Sequence, residues 1–218
     1  MTKIFLFQKG QDFSPEYALQ KSLHLFDSDS DFHAVKLEHQ KSGQPYLSGI
    51  PYTISISHSG TFWGCALCDC DKIGFDIQIV EQNREMDSIA KRFFHPAEYS
   101  HLCQTQFSDF FSIWAAKESY VKYIGSGIDE NFCRFSTVDQ NGLLSAINGA
   151  ALYPIKCDSS YRVFCCGGKS TPSLYYFAKK KGYWNSFSIP LLFCFCHSDF
   201  IIKRGAPTNH LCNQSLNF

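Results

Sequence analysis

Residues 107–123 constrain this chain of 218 residues more than any other stretch. They carry its strongest helical pattern, with Ser108 or Asp109 where an N-cap belongs and Gly125 where a helix stops. On both sides the period changes to that of short strands. Upstream, residues 4–7 read as a strand, and Ser14-Pro15-Glu16 starts a helix that runs to about Leu25. Residues 34–39 read as a strand and 41–45 as a turn. Residues 53–58 and 62–68 form a hairpin around Ser59-Gly60-Thr61, and 73–77 add a further strand. Residues 84–94 and a short segment from Pro96 are helical, the first ended by His95-Pro96. Downstream, 132–137, 142–144, 151–155 and 161–166 read as strands. Strands, then helices, then strands again indicate an α+β chain. Residues 169–218 show no clean period and are expected to form a basic tail without an assignable core.

The charge balance supports a division at residue 168. Lys plus Arg and Asp plus Glu each total 20, yet residues 1–168 carry 14 basic and 19 acidic side chains and residues 169–218 carry 6 and 1. A body with a net charge of −5 is a poor match for nucleic acid, which argues against a metal-dependent nuclease. The N-terminal apolar run is too short for a secretory signal and no run is long enough for a membrane helix, so a cytoplasmic, membrane-free chain is expected. The 11 cysteines lie mostly in apolar runs and are expected to be reduced, buried thiols. Two clusters, Cys65/Cys68/Cys70 and Cys194-Phe-Cys196-His197, invite a zinc test and read as structural, because Cys65 and Cys68 flank Ala66-Leu67 in a strand and point to opposite faces.

Two segments carry chemistry. Ile73-Gly-Phe-Asp-Ile-Gln78 places a carboxylate inside a buried-looking strand, where it needs a cation or a donor. Trp114-Ala-Ala-Lys-Glu-Ser-Tyr-Val-Lys122 repeats functional side chains every fourth residue, so Trp114, Glu118 and Lys122 share one helix face. Taken singly, a strand aspartate or a Glu–Lys pair is ordinarily structural or solvated. Together, Asp76 and Glu118 make a pair of hard oxygen ligands suited to Mg²⁺, with Lys122 placed to neutralise phosphate. The polar trio Ser57-His58-Ser59 closes an apolar strand and adds hydroxyl and imidazole groups.

In this order, Ser55-Ile-Ser-His-Ser59, Ile73-Gly-Phe-Asp76 and Trp114 to Lys122 resemble the 4′-phosphopantetheinyl transferases of the surfactin-synthetase type. Ala90-Lys-Arg-Phe-Phe94 and Glu98-Tyr-Ser100 resemble that family's intervening helices, and the likeness runs from about Gly43 to Gly168. The resemblance implies a monomeric pseudo-dimer of two similar halves, 1–69 and 70–168, with the active site in the cleft between them. It implies Mg²⁺-dependent transfer of the phosphopantetheine arm of coenzyme A to a serine of an apo carrier protein, with release of 3′,5′-ADP. Asp76 and Glu118 would hold the metal, and Glu118 would also serve as general base. Lys122 would stabilise the pyrophosphate, and Ser57, His58 and Lys117 would contact coenzyme A. The sequence departs from the pattern at Gln78, where many relatives carry a glutamate; its uncharged amide oxygen would be a third metal ligand, or water would take that position. It departs again at Gln44, where a lysine is usual and for which Lys41 would substitute. These departures motivate the alternative of a coenzyme A or carrier-binding protein without turnover.

Overall fold

Alternation in the first strand sets up the core. In β1 (Thr2–Gln8), Phe5 and Phe7 face one way and Ile4 and Leu6 the other, and all four are buried. Phe5 and Phe7 pack against α1 (Pro15–Phe26), whose N-cap Ser14 Oγ accepts the Tyr17 N–H at 3.1 Å. The hairpin of β2 (Lys36–His39) and β3 (Pro45–Ser48) leads to β4 (Thr53–Ser59) and β5 (Phe62–Cys68). Then follow β6 (Ile73–Ile79), α2 (Met86–Phe93), α3 (Pro96–Gln104) and α4 (Phe110–Ile124). The chain closes with β7 (Val138–Asp139), β8 (Gly142–Leu143), β9 (Ala146–Ile147), β10 (Ala150–Pro154), β11 (Tyr161–Gly167), β12 (Ser173–Lys180) and β13 (Tyr183–Ile189). The computed structural model describes residues 1–81, 85–180 and 183–189.

Two sheets carry the fold. The first has the order β13-β12-β1-β5-β4 and the second β6-β11-β10-β9, with β12 parallel to β1. Ile4, Leu6, Phe62 and Ala66 of the first sheet meet Phe75, Ile77, Val163 and Cys165 of the second in one apolar cluster. On the far side of the second sheet, Ala115, Ala116 and Tyr120 of α4 cover Leu152, Phe164 and Cys166. The layers are therefore helix, sheet, sheet, helix, an α+β arrangement. Among the described residues, no helix is long and apolar enough to cross a membrane.

The sheets meet along the edges of β4 and β6 without ordinary ladder bonds. Alternate serines of β4 take the place of a neighbouring strand. Ser55 Oγ accepts the Phe75 N–H at 3.0 Å, Ser57 Oγ accepts that of Ile77 at 3.2 Å, and Ser59 Oγ accepts that of Ile79 at 3.0 Å. The hydroxyls thereby satisfy an edge that would otherwise expose unpaired donors.

Several sequence expectations are corrected. The main helix starts at Phe110 because Gln106 and Phe107 adopt left-handed φ values of 51° and 62°, which break the helix before Asp109. Gly125 does end it, at φ 78°. Residues 132–137 form turns instead of a strand, and the side chains of Lys117 and Glu98 take up backbone groups of Phe135 and Thr137. The part of the tail expected to lack a core contains β12, which buries Leu174 and Phe177 on opposite faces. A strand buried on both sides reads as the continuous apolar run Leu174-Tyr-Tyr-Phe-Ala178, so alternation fails to reveal it. Cys194, Cys196 and His197 lie outside the described residues. Cys65 and Cys68 do face opposite sides of β5. The expectation of reduced thiols fails at one pair, for Cys68 and Cys70 are disulfide-bonded.

Candidate active site

Helix α4 lies directly on β6, and Gly74 makes this possible. A Cβ at Gly74 would sit 1.8 Å from the Ser119 carbonyl oxygen and 2.5 Å from the Tyr123 backbone nitrogen. With no side chain there, the helix settles backbone to backbone, and its Glu118 and Lys122 reach the strand that carries Asp76.

Asp76 is 5% exposed. Its Oδ1 accepts the Ser57 hydroxyl at 2.8 Å and the Lys122 ammonium at 2.7 Å. Its Oδ2 is buried and has no hydrogen-bond partner. Such an orphan lone-pair donor is costly unless a cation completes it. Burial pushes the Asp76 carboxyl above its ordinary range, against the opposing pull of Lys122 and Ser57. Burial likewise pushes Glu118 up to about 7, the Asp76 charge adding to the rise and Lys122 opposing it. The two carboxyls thus feel one another across the helix–strand contact.

Two cavities meet here. A small one of about 270 Å³ is lined by Ser57, Asp76, Gln78, Trp114, Glu118 and Lys122. A larger cleft of about 870 Å³ runs from there past Gln44, Leu37 and Trp63 to Glu16 of α1. Ile56, His58, Glu118 and Lys122 line both. The same-face trio Trp114, Glu118 and Lys122 is therefore brought together as its spacing requires. Among the described residues, no three His, Cys, Asp or Glu side chains gather into a group able to hold a metal ion. Asp76 and Glu118, with the amide of Gln78, remain the donor set. Two carboxylates and a neutral oxygen fit a hard divalent cation that draws its other ligands from substrate and water.

Other candidates fall differently. Ser57 lines the small cavity, but its hydroxyl is committed to Asp76 Oδ1 and Ile77 N–H, so it braces the carboxylate. His58 is exposed at the junction of the cavities. Lys41 is exposed on the β2–β3 turn and does not line the cleft, whereas its neighbours Ser42, Gly43 and Gln44 do. Gln44 Nε2 donates to the Lys122 carbonyl at 3.2 Å and satisfies one of the free carbonyls at the end of α4.

The assignment of Lys117 to coenzyme A is corrected by its position. Lys117 is fully buried, and its Nζ meets Glu98 Oε2 at 2.9 Å and donates to the Phe135 carbonyl at 2.8 Å. The rings of Phe135 and Phe132 lie 4.0 Å and 4.9 Å from the ammonium. One residue of helix turns the chain by about 100°, so Lys117 faces away from the Glu118 face. Phe110, Ile113, Lys117, Tyr120 and Val121 share helical spacing, and this pattern could have revealed a lysine in a core position. Sequence spacing alone does not mark Glu98 as its partner. His95-Pro-Ala-Glu98 forms a capping box in which Glu98 Oε2 accepts the His95 N–H at 2.9 Å, leaving its other oxygen for Thr137.

The raised Glu118 carboxyl has a consequence for stability. With divalent metal chelated, the folded state holds this proton up to about pH 7, whereas the unfolded chain releases it near 4.5. The folded state binds more protons in that window, so stability falls as pH rises through it. The loss from this group is expected to be about 2 kcal/mol once partial exposure is discounted. Urea unfolding in EDTA at several pH values checks it: Glu118→Gln should flatten the slope, and an identical slope in the variant would refute the assignment.

The 4′-phosphopantetheinyl transferase superfamily model matches residues 72–166, which contain Asp76, Glu98, Glu118 and Lys122. A 4′-phosphopantetheinyl transferase of Bacillus subtilis is 39% identical over 103 residues, covering 44% of each chain. The 4′-phosphopantetheinyl transferase HetI of Nostoc sp. is 34% identical over 104 residues, covering 43% of each chain. The 4′-phosphopantetheinyl transferase Sfp of Bacillus subtilis is 35% identical over 118 residues, covering 51% of each chain. The chain spans about half the length of the curated relatives it matches. On this match and these identities, residues 72–166 are similar to the 4′-phosphopantetheinyl transferase superfamily.

Proposed function

We propose that the chain transfers the 4′-phosphopantetheine arm of coenzyme A to a serine of an apo carrier protein and releases 3′,5′-ADP. The observation that carries this reading is the unpartnered Oδ2 of Asp76, which lines the small cavity whose Glu118 and Lys122 also line the larger cleft. In this reading the active site occupies the cleft between two similar halves, 1–69 and 70–168, of a monomeric cytoplasmic pseudo-dimer.

Asp76 and Glu118 would hold Mg²⁺, with Gln78 contributing an amide oxygen. The bound ion would withdraw charge from the pyrophosphate oxygens. The carrier serine Oγ attacks the phosphorus that bears the pantetheine arm, and the bond from that phosphorus to the bridging oxygen of 3′,5′-ADP breaks. Glu118, with its raised carboxyl, accepts the serine proton directly or through a water. Lys122 swings toward the cleft and stabilises the departing phosphate. His58, exposed at the same junction, is placed to contact a coenzyme A phosphate. Ser57 keeps the Asp76 carboxylate turned toward the cavity through its 2.8 Å hydrogen bond.

Incubation with coenzyme A, Mg²⁺ and a panel of apo carrier proteins tests the reading. A carrier should gain the mass of one phosphopantetheine arm, and Glu118→Ala should remove that gain. No gain on any carrier would sink the proposal. The second reading, a coenzyme A or carrier-binding protein without turnover, is favoured by one feature: neither Gln78 nor Gln44 brings charge, and Gln44 is already engaged at the Lys122 carbonyl. Calorimetric binding of coenzyme A with no 3′,5′-ADP released would support it instead.

A further inference from the structure

We propose that Lys122 is a resident counter-ion of Asp76 which the coenzyme A pyrophosphate draws away, so that nucleotide and divalent cation bind in a coupled manner. The inference rests on the reading of the site as a metal and coenzyme A centre. It concerns how that centre is loaded.

The two oxygens of Asp76 are treated unequally. Oδ1 receives both Ser57 and Lys122, while Oδ2 is buried without a partner. One positive charge already answers the carboxylate, and it sits on the group a second cation would need. A divalent ion at Oδ2 would lie within a few ångströms of the ammonium, and like charges at that distance oppose each other strongly in a partly buried site. Metal alone should therefore bind weakly while the lysine stays in place.

Lys122 is built to move. Its side chain is 30% exposed and lines both cavities, so the path from Asp76 to the cleft is open. Its stem is a flexible four-carbon chain ending in a compact charge. Its backbone is held, because Gln44 Nε2 donates to the Lys122 carbonyl and the helix continues to Gly125. A diphosphate in the cleft offers the ammonium a stronger partner than one carboxylate oxygen. Once the ammonium turns to it, Asp76 regains a full negative charge facing the cavity. Linkage requires the converse too: bound cation must tighten coenzyme A by the same factor.

The test uses the full chain with Mn²⁺ as probe, read by electron paramagnetic resonance of the free ion, without carrier protein so that no turnover occurs. In the wild type, saturating coenzyme A should tighten Mn²⁺ binding about tenfold or more. Lys122→Met should bind Mn²⁺ alone about tenfold tighter than the wild type and gain much less from coenzyme A. Lys122→Arg keeps a cation on Asp76 and should stay near the wild type. Repeating the titrations at about 0.5 M KCl suppresses long-range charge effects, and the difference should persist. The proposal is overturned if Lys122→Met binds Mn²⁺ no tighter than the wild type at that salt. It is equally overturned if coenzyme A tightens Mn²⁺ by the same factor in both, or if Asp76→Asn leaves Mn²⁺ binding intact. Thermal melts of each variant confirm folding, and the wild-type coupling needs no variant at all. A chain that shows the coupling yet modifies no apo carrier supports this inference and overturns the transferase reading alone.

Discussion

Gly74→Ala is expected to destabilise the chain by about 3 kcal/mol or more, at the upper end of what overpacking costs. The added methyl would stand 1.8 Å from the Ser119 carbonyl oxygen, 2.5 Å from the Tyr123 nitrogen and 2.9 Å from the Tyr123 Cβ. Two of these atoms are backbone of α4, so no rotamer change relieves the clash. The helix must lift from β6, and it would take with it Ala115, Ala116 and Tyr120, which cover the second sheet. The same movement separates Lys122 from Asp76, now 2.7 Å apart. For a chain of this size the melting temperature should fall by roughly 6–12 °C. Thermal and urea unfolding measure it. A loss below about 1 kcal/mol would mean that the helix is not seated on the strand as described.

The glycine explains why so much of the site could be read from residues alone. Gly74, Asp76 and the Trp114–Glu118–Lys122 face are local patterns, fixed by strand alternation and the helical repeat. Asp76 had to be buried because its neighbours are, and a buried carboxylate needs partners. The partners, however, come from elsewhere in the chain. That Ser57 braces Asp76 depends on two strand edges meeting, although the spacing Ser55-Ile-Ser-His-Ser59 did place three hydroxyls on one face. Strand β12 was hidden because burial on both faces removes the alternation that marks a strand, and because its parallel partner is β1 at the opposite end of the chain. Residues 132–137 have strand-like composition, but Phe132 and Arg134 donate within turns, and the Phe135 carbonyl and Thr137 N–H go to side chains of α4 and α3. Lys117 matches the family motif by position, whereas its helical spacing with Phe110, Ile113 and Val121 points it into the core.

Lys117→Met and Glu98→Gln are each expected to cost about 3–5 kcal/mol, because each leaves one member of a buried ion pair without its partner. Both side chains are fully buried. Glu98 is completely satisfied: Oε1 accepts the Thr137 N–H at 2.7 Å and its hydroxyl at 2.9 Å. Oε2 accepts the His95 N–H at 2.9 Å and meets Lys117 Nζ at 2.9 Å. Burial draws the Lys117 ammonium below its ordinary range, with Glu98 opposing, so its charge depends on that carboxylate. Methionine at 117 fills similar volume among Phe94, Phe132 and Phe135 but strands a carboxylate beside three rings. Glutamine at 98 keeps one acceptor oxygen, turns the other into a donor, and strands an ammonium with only the Phe135 carbonyl and the ring faces. In the double variant neither charge remains, so its cost should be smaller than the sum of the singles by about 1–3 kcal/mol. Urea unfolding of the four proteins closes the cycle. Strict additivity would mean that the two charges do not depend on one another. The cluster would then be held by its aromatic packing, and the fixed rotation of α4 that presents Glu118 to the cavity would need another cause.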